Sequence, residues 1–209
     1  MEDVSGVVSA GYDRVADDYE RLEREEWPRL RRLRELLALL PEGASVLDAG
    51  CGNGRPALAA IAARHLATGI DVSAEQVARA RRHVPGASVV HRDMFTTDFS
   101  AQTFDAIVCF YAVEHVPRER HAELFARFGS WLRPGGLLLF TVESRAVDDI
   151  VGEWLGQPMF FSQFGPDETM ALVRGARFEI LRHELETQRE GTIEIEYLWV
   201  LARRVDPPQ

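Results

Sequence analysis

The fold is decided by one stretch of the sequence, Val46–Gly54, which is VLDAGCGNG. Apolar residues typical of a buried β-strand run directly into three glycines at alternate positions, and a helical pattern follows. Glycine allows the backbone a positive φ and lets a ligand touch the main chain where a Cβ would intrude. Because such a loop after the first strand of a parallel sheet lies where ligands bind, we expect it to hold a small-molecule cofactor.

The spacing of these glycines argues against two common nucleotides. The dinucleotide pattern G-x-G-x-x-G, started at Gly50, needs a third glycine at position 55, where the chain has Arg55. No Lys–Ser/Thr pair follows to form a phosphate-binding P-loop. The loop therefore disfavours both NAD and ATP.

Around this loop, short strand-like runs alternate with helix-like stretches. The predicted strands are Ser45–Asp48, Ala67–Asp71, Ser88–His91, Phe104–Phe110 and Gly136–Val142, and the predicted helices are Pro56–His65, Ala74–His83 and Arg118–Leu132. This alternation indicates crossover connections and a parallel sheet with helices on both faces. We therefore predict an α/β, doubly wound, Rossmann-like fold.

Ahead of the sheet lie about 40 residues with a helical pattern, including a leucine stripe on a helix that begins at Pro28 and ends at Pro41. The other faces of that helix carry Arg29, Arg31, Arg32 and Arg34. These arginines could form a basic patch for an anionic partner. The neighbouring Glu20, Glu23, Glu25 and Glu26 favour instead a solvated face that balances its own charge.

The end of the chain has the pattern of a β-hairpin. Two strand-like runs, Arg177–Glu186 and Ile193–Ala202, are separated by Arg189-Glu190-Gly191. In the second run one face is apolar throughout, while on the other Glu194 and Glu196 give way to Leu198 and Val200. We expect this strand to start at the rim of the sheet and to run into the interior.

Composition and charge exclude several functional classes. The chain has 209 residues, with 24 basic against 33 acidic ones and a formal net charge of −9, which disfavours a nucleic-acid partner. Its longest apolar runs are less than half the roughly 20 residues that cross a bilayer. The acidic start shows no export signal, so we expect a cytoplasmic protein without a membrane partner. The two cysteines, Cys51 and Cys109, lack metal-binding spacing, and we predict no metal site.

A carboxylate at the end of the next predicted strand fits a nucleoside cofactor. Asp71 follows the glycine loop at close to the separation of about 20 residues at which an acid reaches a ribose. Two acceptor oxygens suit the two vicinal hydroxyls of that sugar. The alternative is that Asp71 caps the helix that starts near Ser73.

Taken together, these motifs resemble the class I S-adenosylmethionine-dependent methyltransferases, in their small-molecule branch. Six matching motifs come in the family's order over roughly residues 45 to 142, and an N-terminal helix precedes them. They are LDAGCGNG (47–54), GIDVS (69–73), RDM (92–94), FDAIV (104–108), VEHV (113–116) and LRPGG (132–136), after YDRVADDY (12–19). The resemblance implies a seven-stranded, mostly parallel sheet with an antiparallel strand from the final hairpin.

The resemblance also implies roles for individual positions around S-adenosylmethionine. The loop from Asp48 to Gly54 would hold the methionine part, Asp71 the ribose, and Asp93 the adenine amino group. The full set of implied cofactor-binding residues is Tyr12, Asp48, Gly50, Cys51, Gly52, Asp71, Val72, Asp93, Met94, Phe110 and Tyr111.

Methyl transfer by in-line displacement depends mainly on the positions of the reactants, and a base assists only where the acceptor loses a proton. Glu114-His115, just beyond the fourth predicted strand, is the best-placed titratable pair, and we single out His115 as the candidate base. The alternative is that His115 packs beside the cofactor and Glu114 caps the following helix.

Residues 143–165 match no close template and are rich in aromatic residues. They could form a lid that closes an apolar acceptor pocket and excludes water, or they could merely pack on the sheet. With the N-terminal tyrosines, the lid interpretation predicts a small, partly aromatic or amine-bearing substrate. The candidate substrate-binding residues are Tyr19, Glu114, Trp154, Phe160 and Phe161.

The sequence therefore predicts an enzyme that transfers a methyl group from S-adenosylmethionine to an N, O or C atom of a small metabolite. The alternatives are an RNA or protein methyltransferase, or a cofactor-binding protein that transfers no methyl. We expect one domain, made of a helical cap (1–41), a cofactor-binding core (44–142), a substrate lid (143–165) and a C-terminal helix and hairpin (166–209). The oligomeric state is left open.

Overall fold

The computed structural model describes residues 4–22, 28–190 and 193–205. Three helices come first, and the sheet and its helices follow. In chain order the elements are α1 (Val4–Arg14), α2 (Ala16–Leu22), α3 (Pro28–Leu37), β1 (Ser45–Ala49), α4 (Ala57–Ala62), β2 (Leu66–Asp71), α5 (Ala74–His83), β3 (Ser88–His91), β4 (Phe104–Cys109), α6 (His121–Trp131), β5 (Leu132–Glu143), β6 (Val147–Trp154), β7 (Gln157–Gln163), α7 (Pro166–Gly175), β8 (Phe178–Glu190) and β9 (Ile193–Arg204). Two single 3₁₀ turns, Val113–His115 and Arg118–Arg120, join β4 to α6.

A seven-stranded sheet in the order β3-β2-β1-β4-β5-β9-β8 forms the centre of the fold. The pairs among the first five strands are parallel, and β9 runs antiparallel to both β5 and β8. The strand order reverses at β1, between its neighbours β2 and β4, and a ligand crevice is expected outside the carboxyl ends of the strands there. The α/β class, the mostly parallel sheet and the antiparallel strand are confirmed.

Both faces of the sheet are buried, as a parallel sheet requires. Successive strand residues alternate between two apolar layers, so that Leu47 packs in one and Val46 in the other. The first layer includes Phe125 and Phe128 of α6. The second includes Leu33 of α3 and residues of α4 and α5. This packing fixes the strand ends, and with them the glycine loop.

The arginines of α3 correct one prediction. Arg29 and Arg32 are each only 4% exposed, so they do not form a solvated face. Arg32 pairs with Glu184 and Glu186 of β8 at 2.6 Å each, and its guanidinium lies 5.1 Å from the centre of the Trp199 ring. The charge of Arg32 is therefore balanced by a strand that is distant in sequence. Glu23, Glu25 and Glu26, which the sequence interpretation invoked, lie outside the described residues.

The C-terminal hairpin forms as predicted, with longer strands. Along β9 the exposed fraction falls from 57% at Ile193 to 1% at Trp199 and 0% at Val200, so the strand does run from the rim into the core. The predicted turn residue Gly191 lies outside the described residues.

The segment without a template forms a separate two-stranded antiparallel sheet of β6 and β7. β7 packs against α1 and against the 3₁₀ turn Val113–His115. The contact with α1 is close, since a Cβ on Gly11 would lie 2.7 Å from Cε of Met159. This hairpin and the N-terminal helix therefore meet beside the carboxyl end of β4.

Candidate functional site

The glycine loop turns at the carboxyl end of β1. Gly50 and Gly52 have φ values of +79° and +52°, where a side chain is costly. A Cβ on Gly50 would lie 2.7 Å from the Cβ of Ala112, whereas the nearest atom to a Cβ on Gly52 would be Cε1 of Tyr19, at 3.6 Å. The loop is thus tightly packed at its first glycine and open at its second. This arrangement can hold a ligand against the main chain.

Asp71 ties this loop to the end of β2. Its Oδ2 accepts a hydrogen bond from the Gly52 N–H at 2.8 Å, and its Oδ1 accepts one from the Ser73 N–H at 2.9 Å. Burial raises the pKa of the Asp71 carboxyl, and the two backbone hydrogen bonds oppose that shift. The N-cap of α5 is Ser73, whose hydroxyl accepts from the Gln76 N–H, so the alternative that Asp71 caps the helix is wrong.

Asp93 follows β3 and is joined to the N-terminal helix. Its Oδ1 accepts from the Phe95 N–H at 2.6 Å, and its Oδ2 accepts from the hydroxyl of Ser5 at 2.5 Å. A second serine of α1, Ser9, donates to the carbonyl of Val72 at 3.0 Å. Helix α1 is therefore fastened to the segments that follow both β2 and β3.

At the end of β4 the chain makes a tight turn that places two aromatic residues side by side. Tyr111 has a φ of +53°, and its hydroxyl donates to Oε1 of Gln188 at 2.8 Å. Its ring packs edge-on against Tyr197, with 5.0 Å between ring centres. Phe110 packs on Trp199. β9 thus supports this wall of the site from behind.

His115 is held between two partners, and these fix its tautomer. Its Nδ1 lies 2.8 Å from the carbonyl oxygen of Phe160, and its Nε2 lies 2.9 Å from the hydroxyl of Tyr12. Because a carbonyl only accepts, Nδ1 carries the hydrogen. The neutral Nε2 therefore accepts the Tyr12 hydroxyl hydrogen. The predicted base and the first predicted tyrosine form one hydrogen-bonded pair.

Further aromatic rings surround this pair. Tyr12 lies 5.6 Å from Tyr19, 5.4 Å from His115 and 5.4 Å from Trp154, measured between ring centres. Trp154 also contacts Tyr19 at 5.6 Å, and Phe161 contacts His115 at 5.3 Å. We call this group, Tyr12, Tyr19, His115, Trp154 and Phe161, the aromatic cluster. Residues from the N-terminal helices, from the turn after β4 and from the β6–β7 hairpin converge in it.

Burial lowers the pKa of His115 to about 4, although the hydrogen bond to Phe160 opposes that shift. In the unfolded chain the value is about 6.5. The unfolded chain therefore takes up a proton first as the pH falls, and folding stability is lost between about pH 6.5 and pH 4. About one pH unit above 6.5 and higher, the imidazole is mostly neutral in both states and contributes little pH dependence.

We expect the wild type to lose about 3 kcal/mol more of its unfolding free energy across that interval than the variant His115→Gln. Glutamine cannot be protonated there, yet it can donate to Phe160 and accept from Tyr12. Urea unfolding at pH 7.5 and at pH 4.5 measures the difference, and His183→Gln, at an exposed position, is the control. Equal losses in wild type and His115→Gln would contradict the burial of a neutral imidazole.

These groups line a cavity of about 440 Å³, a size typical of small-molecule sites. Most of the residues predicted to bind the cofactor lie in its wall, together with the candidate base and one candidate substrate residue. They are Tyr12, Tyr19, Gly50, Gly52, Asp71, Val72, Asp93, Met94, Phe110, Tyr111 and His115.

Six other predicted residues lie behind the wall of the cavity. Asp48 and Cys51 are buried in β1 and in the loop after it, and Glu114 is only 5% exposed in the turn after β4. Phe160 contributes its carbonyl to His115, while Trp154 and Phe161 pack against rings that face the cavity. In this structure all six support the wall without lining the space.

The part of α1 that covers the cavity was missed from the sequence. Val4, Ser5 and Val8 line it, as does Phe95. The spacing of the two valines by four positions is typical of one helix face and could have identified that face. The rest of the wall that was missed comes from Ile70 of β2, from Arg92 after β3 and from the segment between β4 and α6.

Both cysteines pack as small apolar residues. Burial raises the pKa of the Cys51 and Cys109 thiols well above the ordinary range, so neither is a thiolate at neutral pH. Among the described residues, no group of His, Cys, Asp and Glu could hold a metal ion. Within the same ranges, none of the helices has the length and apolar character that crossing a membrane requires.

Part of this chain is similar in sequence to known methyltransferases. Residues 46–136 match the family model of a methyltransferase domain. Over 114 residues the chain is 33% identical to the ubiquinone biosynthesis O-methyltransferase of Actinobacillus pleuropneumoniae. The aligned region covers 50% of this chain and 48% of that relative. The chain thus spans about half the length of the curated relatives it first matches.

Solved structures share the whole fold. The 1,6-didemethyltoxoflavin-N1-methyltransferase of Burkholderia thailandensis, solved with bound 1,6-didemethyltoxoflavin and S-adenosylhomocysteine, superposes with a TM-score of 0.75 at 22% identity, over 97% of this chain and 89% of that one. The magnesium protoporphyrin IX methyltransferase of Synechocystis, solved with S-adenosylhomocysteine, gives a TM-score of 0.72 at 16% identity, over 97% and 100%. Residues 46–136 therefore match a methyltransferase domain, and the chain shares its fold with these solved methyltransferases.

Proposed function

We propose that this protein transfers the methyl group of S-adenosylmethionine to an N, O or C atom of a small metabolite. One observation carries the proposal. A single cavity brings the glycine loop, Asp71 and Asp93 together with the hydrogen-bonded pair of Tyr12 and His115. The first group suits a nucleoside cofactor, and the second suits an acceptor that loses a proton.

The residues present fit this cofactor. The open side of Gly52 leaves room against the main chain, and the partly buried carboxylate of Asp71 stands beside it, offering acceptor oxygens to ribose hydroxyls. Val72 and Met94 provide apolar surface for the adenine, and Phe110 lies beside the loop. When bound, S-adenosylmethionine supplies an electrophilic methyl group on a positively charged sulfur.

The protein's contribution to the transfer is mainly one of position. The positive charge disperses as the methyl group leaves, so no anion-stabilising site is required. Holding both reactants in aligned contact, at about 3 to 3.5 Å, can supply effective molarities of 10⁵ M or more, as an order of magnitude. The rings of Tyr12, Tyr19 and Phe110 form walls that orient an acceptor and exclude water.

Helix α1 and the β6–β7 hairpin are proposed to close the site. The hydroxyl of Ser5 already occupies one oxygen of Asp93, so an adenine amino group would share that oxygen or displace the serine. Residues 143–165 act in this view as the outer part of the lid, because β7 holds α1 in place. The cytoplasmic location, the single-domain division and the absence of a nucleic-acid partner remain part of the proposal.

The test combines binding and transfer. Calorimetry is expected to show a single site for S-adenosylmethionine and for S-adenosylhomocysteine, and labelled methyl is expected to appear in a product from a small-metabolite extract. Salt-dependent RNA binding with label in RNA would favour the nucleic-acid alternative. Tight cofactor binding with no labelled product from any fraction would favour a protein that transfers no methyl. No binding of either compound would overturn the proposal.

A further inference from the structure

The two ends of the cavity differ in charge. Among the described residues of its wall, the charged ones are Asp71, Arg92, Asp93, Glu119 and Arg120. Both oxygens of Asp71 and of Asp93 already accept hydrogen bonds, and the Arg120 guanidinium lies 3.7 Å from the centre of the Phe95 ring, beside Asp93. Asp71, Asp93 and Arg120 thus lie at the end where the nucleoside is proposed to bind.

The other end is lined by rings. Tyr12, Tyr19, His115, Phe110 and Tyr111 face the cavity there, and Trp154 and Phe161 back them. Flat apolar walls of this kind favour a planar aromatic guest through offset or edge-on ring contacts. The shape of this part of the wall therefore favours a planar aromatic ring.

The hydrogen-bonded pair lies in the same wall. Tyr12 donates to the neutral Nε2 of His115, and a hydroxyl that donates its hydrogen can still accept another. On this basis, and resting on the proposed function above, we propose that the acceptor is a neutral aromatic ring bearing a dissociable O–H or N–H, whose proton Tyr12 accepts while passing its own proton to His115.

The atoms and charges of this step balance. The bond between the acceptor oxygen or nitrogen and the methyl carbon forms from an acceptor electron pair, and the carbon–sulfur bond breaks with its pair left on sulfur. The acceptor proton moves to the Tyr12 oxygen as the Tyr12 proton moves to Nε2. The sulfonium charge is lost and an imidazolium charge appears at His115. That imidazolium returns its proton to water when the products leave.

The strength of the base agrees with this acceptor class. With its pKa lowered to about 4, His115 is neutral and ready to accept a proton at pH 7, but it is a weak base. It cannot take a proton from an aliphatic ammonium, whose ordinary pKa is about 10.4. A methylated phenol that still carries its proton is a strong acid, so the transfer to His115 is downhill as the new bond forms.

The binding test uses three probes with one skeleton: a naphthol, the saturated decalin alcohol and the corresponding decalin amine. Calorimetry is done on protein saturated with S-adenosylhomocysteine, so that effects on cofactor binding do not enter. We expect the naphthol to bind at least about tenfold more tightly than either saturated probe, from its ring contacts. Tyr12→Phe should weaken naphthol binding about fivefold, the usual effect of one lost hydrogen bond.

The transfer test separates a proton relay from a merely structural role. At pH 7 we expect Tyr12→Phe to methylate the naphthol about 100-fold more slowly than the wild type. The ratio of the wild-type rate to the Tyr12→Phe rate should fall about tenfold per pH unit as the pH approaches the pKa of the naphthol, because the naphtholate needs no base. His115→Gln, which keeps both hydrogen bonds, should show the same fall in this ratio. His183→Gln, at an exposed position outside the cavity, should follow the wild type.

Two results would overturn the inference: preferential binding or methylation of the decalin amine, or a rate gap that does not change with pH. In either case S-adenosylhomocysteine would still bind, and the proposed function would stand. If S-adenosylhomocysteine gives no heat with the wild type, the proposed function itself fails. The two failures are therefore distinguished by the first titration.

Discussion

Gly52→Val is expected to abolish binding of S-adenosylmethionine and of S-adenosylhomocysteine, with a loss of affinity of at least about 1000-fold, or ~4 kcal/mol. The nearest atom to a Cβ at this position is 3.6 Å away, on Tyr19, so the branched side chain would fill space inside the cavity. Calorimetric titration with both compounds measures the loss.

The substitution also strains the backbone, and a control separates the two effects. Gly52 has a φ of +52°, where a β-branched residue costs roughly 1–2 kcal/mol. Gly135 has a φ of +74°, a Cβ there would meet no atom within 4 Å, and the residue does not line the cavity. Gly135→Val should therefore lose similar stability and keep its cofactor affinity. Retained affinity in a folded Gly52→Val protein would show that the cofactor binds elsewhere.

The sheet and the glycine loop could be predicted because their signals are local. Adjacent residues such as Val46 and Leu47 pack into opposite apolar layers. Because both faces of the strand are buried, its sequence is apolar at successive positions, which is easy to recognise. The glycines follow within a few residues, so a short window of sequence holds the strand, the turn and the start of the next helix. Asp71 could be placed for the same reason, since its strand pairs directly with β1.

The partners within the site could not be predicted, because they are distant in sequence. Tyr12 and His115 are 103 positions apart, and Arg32 and Glu186 are 154 positions apart. Contacts between residues so far apart leave no periodic pattern in the sequence. The arginines of α3 carried only a local charge pattern, which favoured the adjacent glutamates. Tertiary packing brought β8 and Trp199 against them instead.

The β6–β7 hairpin contributes a main-chain contact to the site that the sequence could not predict. Its aromatic residues were expected either to form a lid or to pack; the structure shows Phe160 packed, and the lid stays a prediction. Phe160 is 4% exposed and packs beside Met159, while its backbone carbonyl sets the tautomer of His115. A main-chain group with a functional position leaves no trace in side-chain patterns.

Asp71→Ala is expected to weaken cofactor binding about 100-fold, or ~3 kcal/mol. The variant leaves the proposed ribose hydroxyls without their acceptor, and it also frees the Gly52 N–H and the Ser73 N–H that position the loop. Asp71→Asn should also bind poorly, because its amide N–H₂ would face one of those two donors. Titration with S-adenosylhomocysteine measures both variants, and thermal unfolding shows that they are folded.

The matched control is Asp105→Ala in β4. Asp105 also accepts a backbone hydrogen bond, from the Ser45 N–H at 2.7 Å, and it pairs with Arg133, but it does not line the cavity. Removing it should affect stability and leave cofactor affinity within about twofold of the wild type, because distant sites act independently. If both variants lose affinity equally, the effect of Asp71 comes from general loosening of the sheet. If neither does, the carboxylate that follows β2 is not the ribose-binding group.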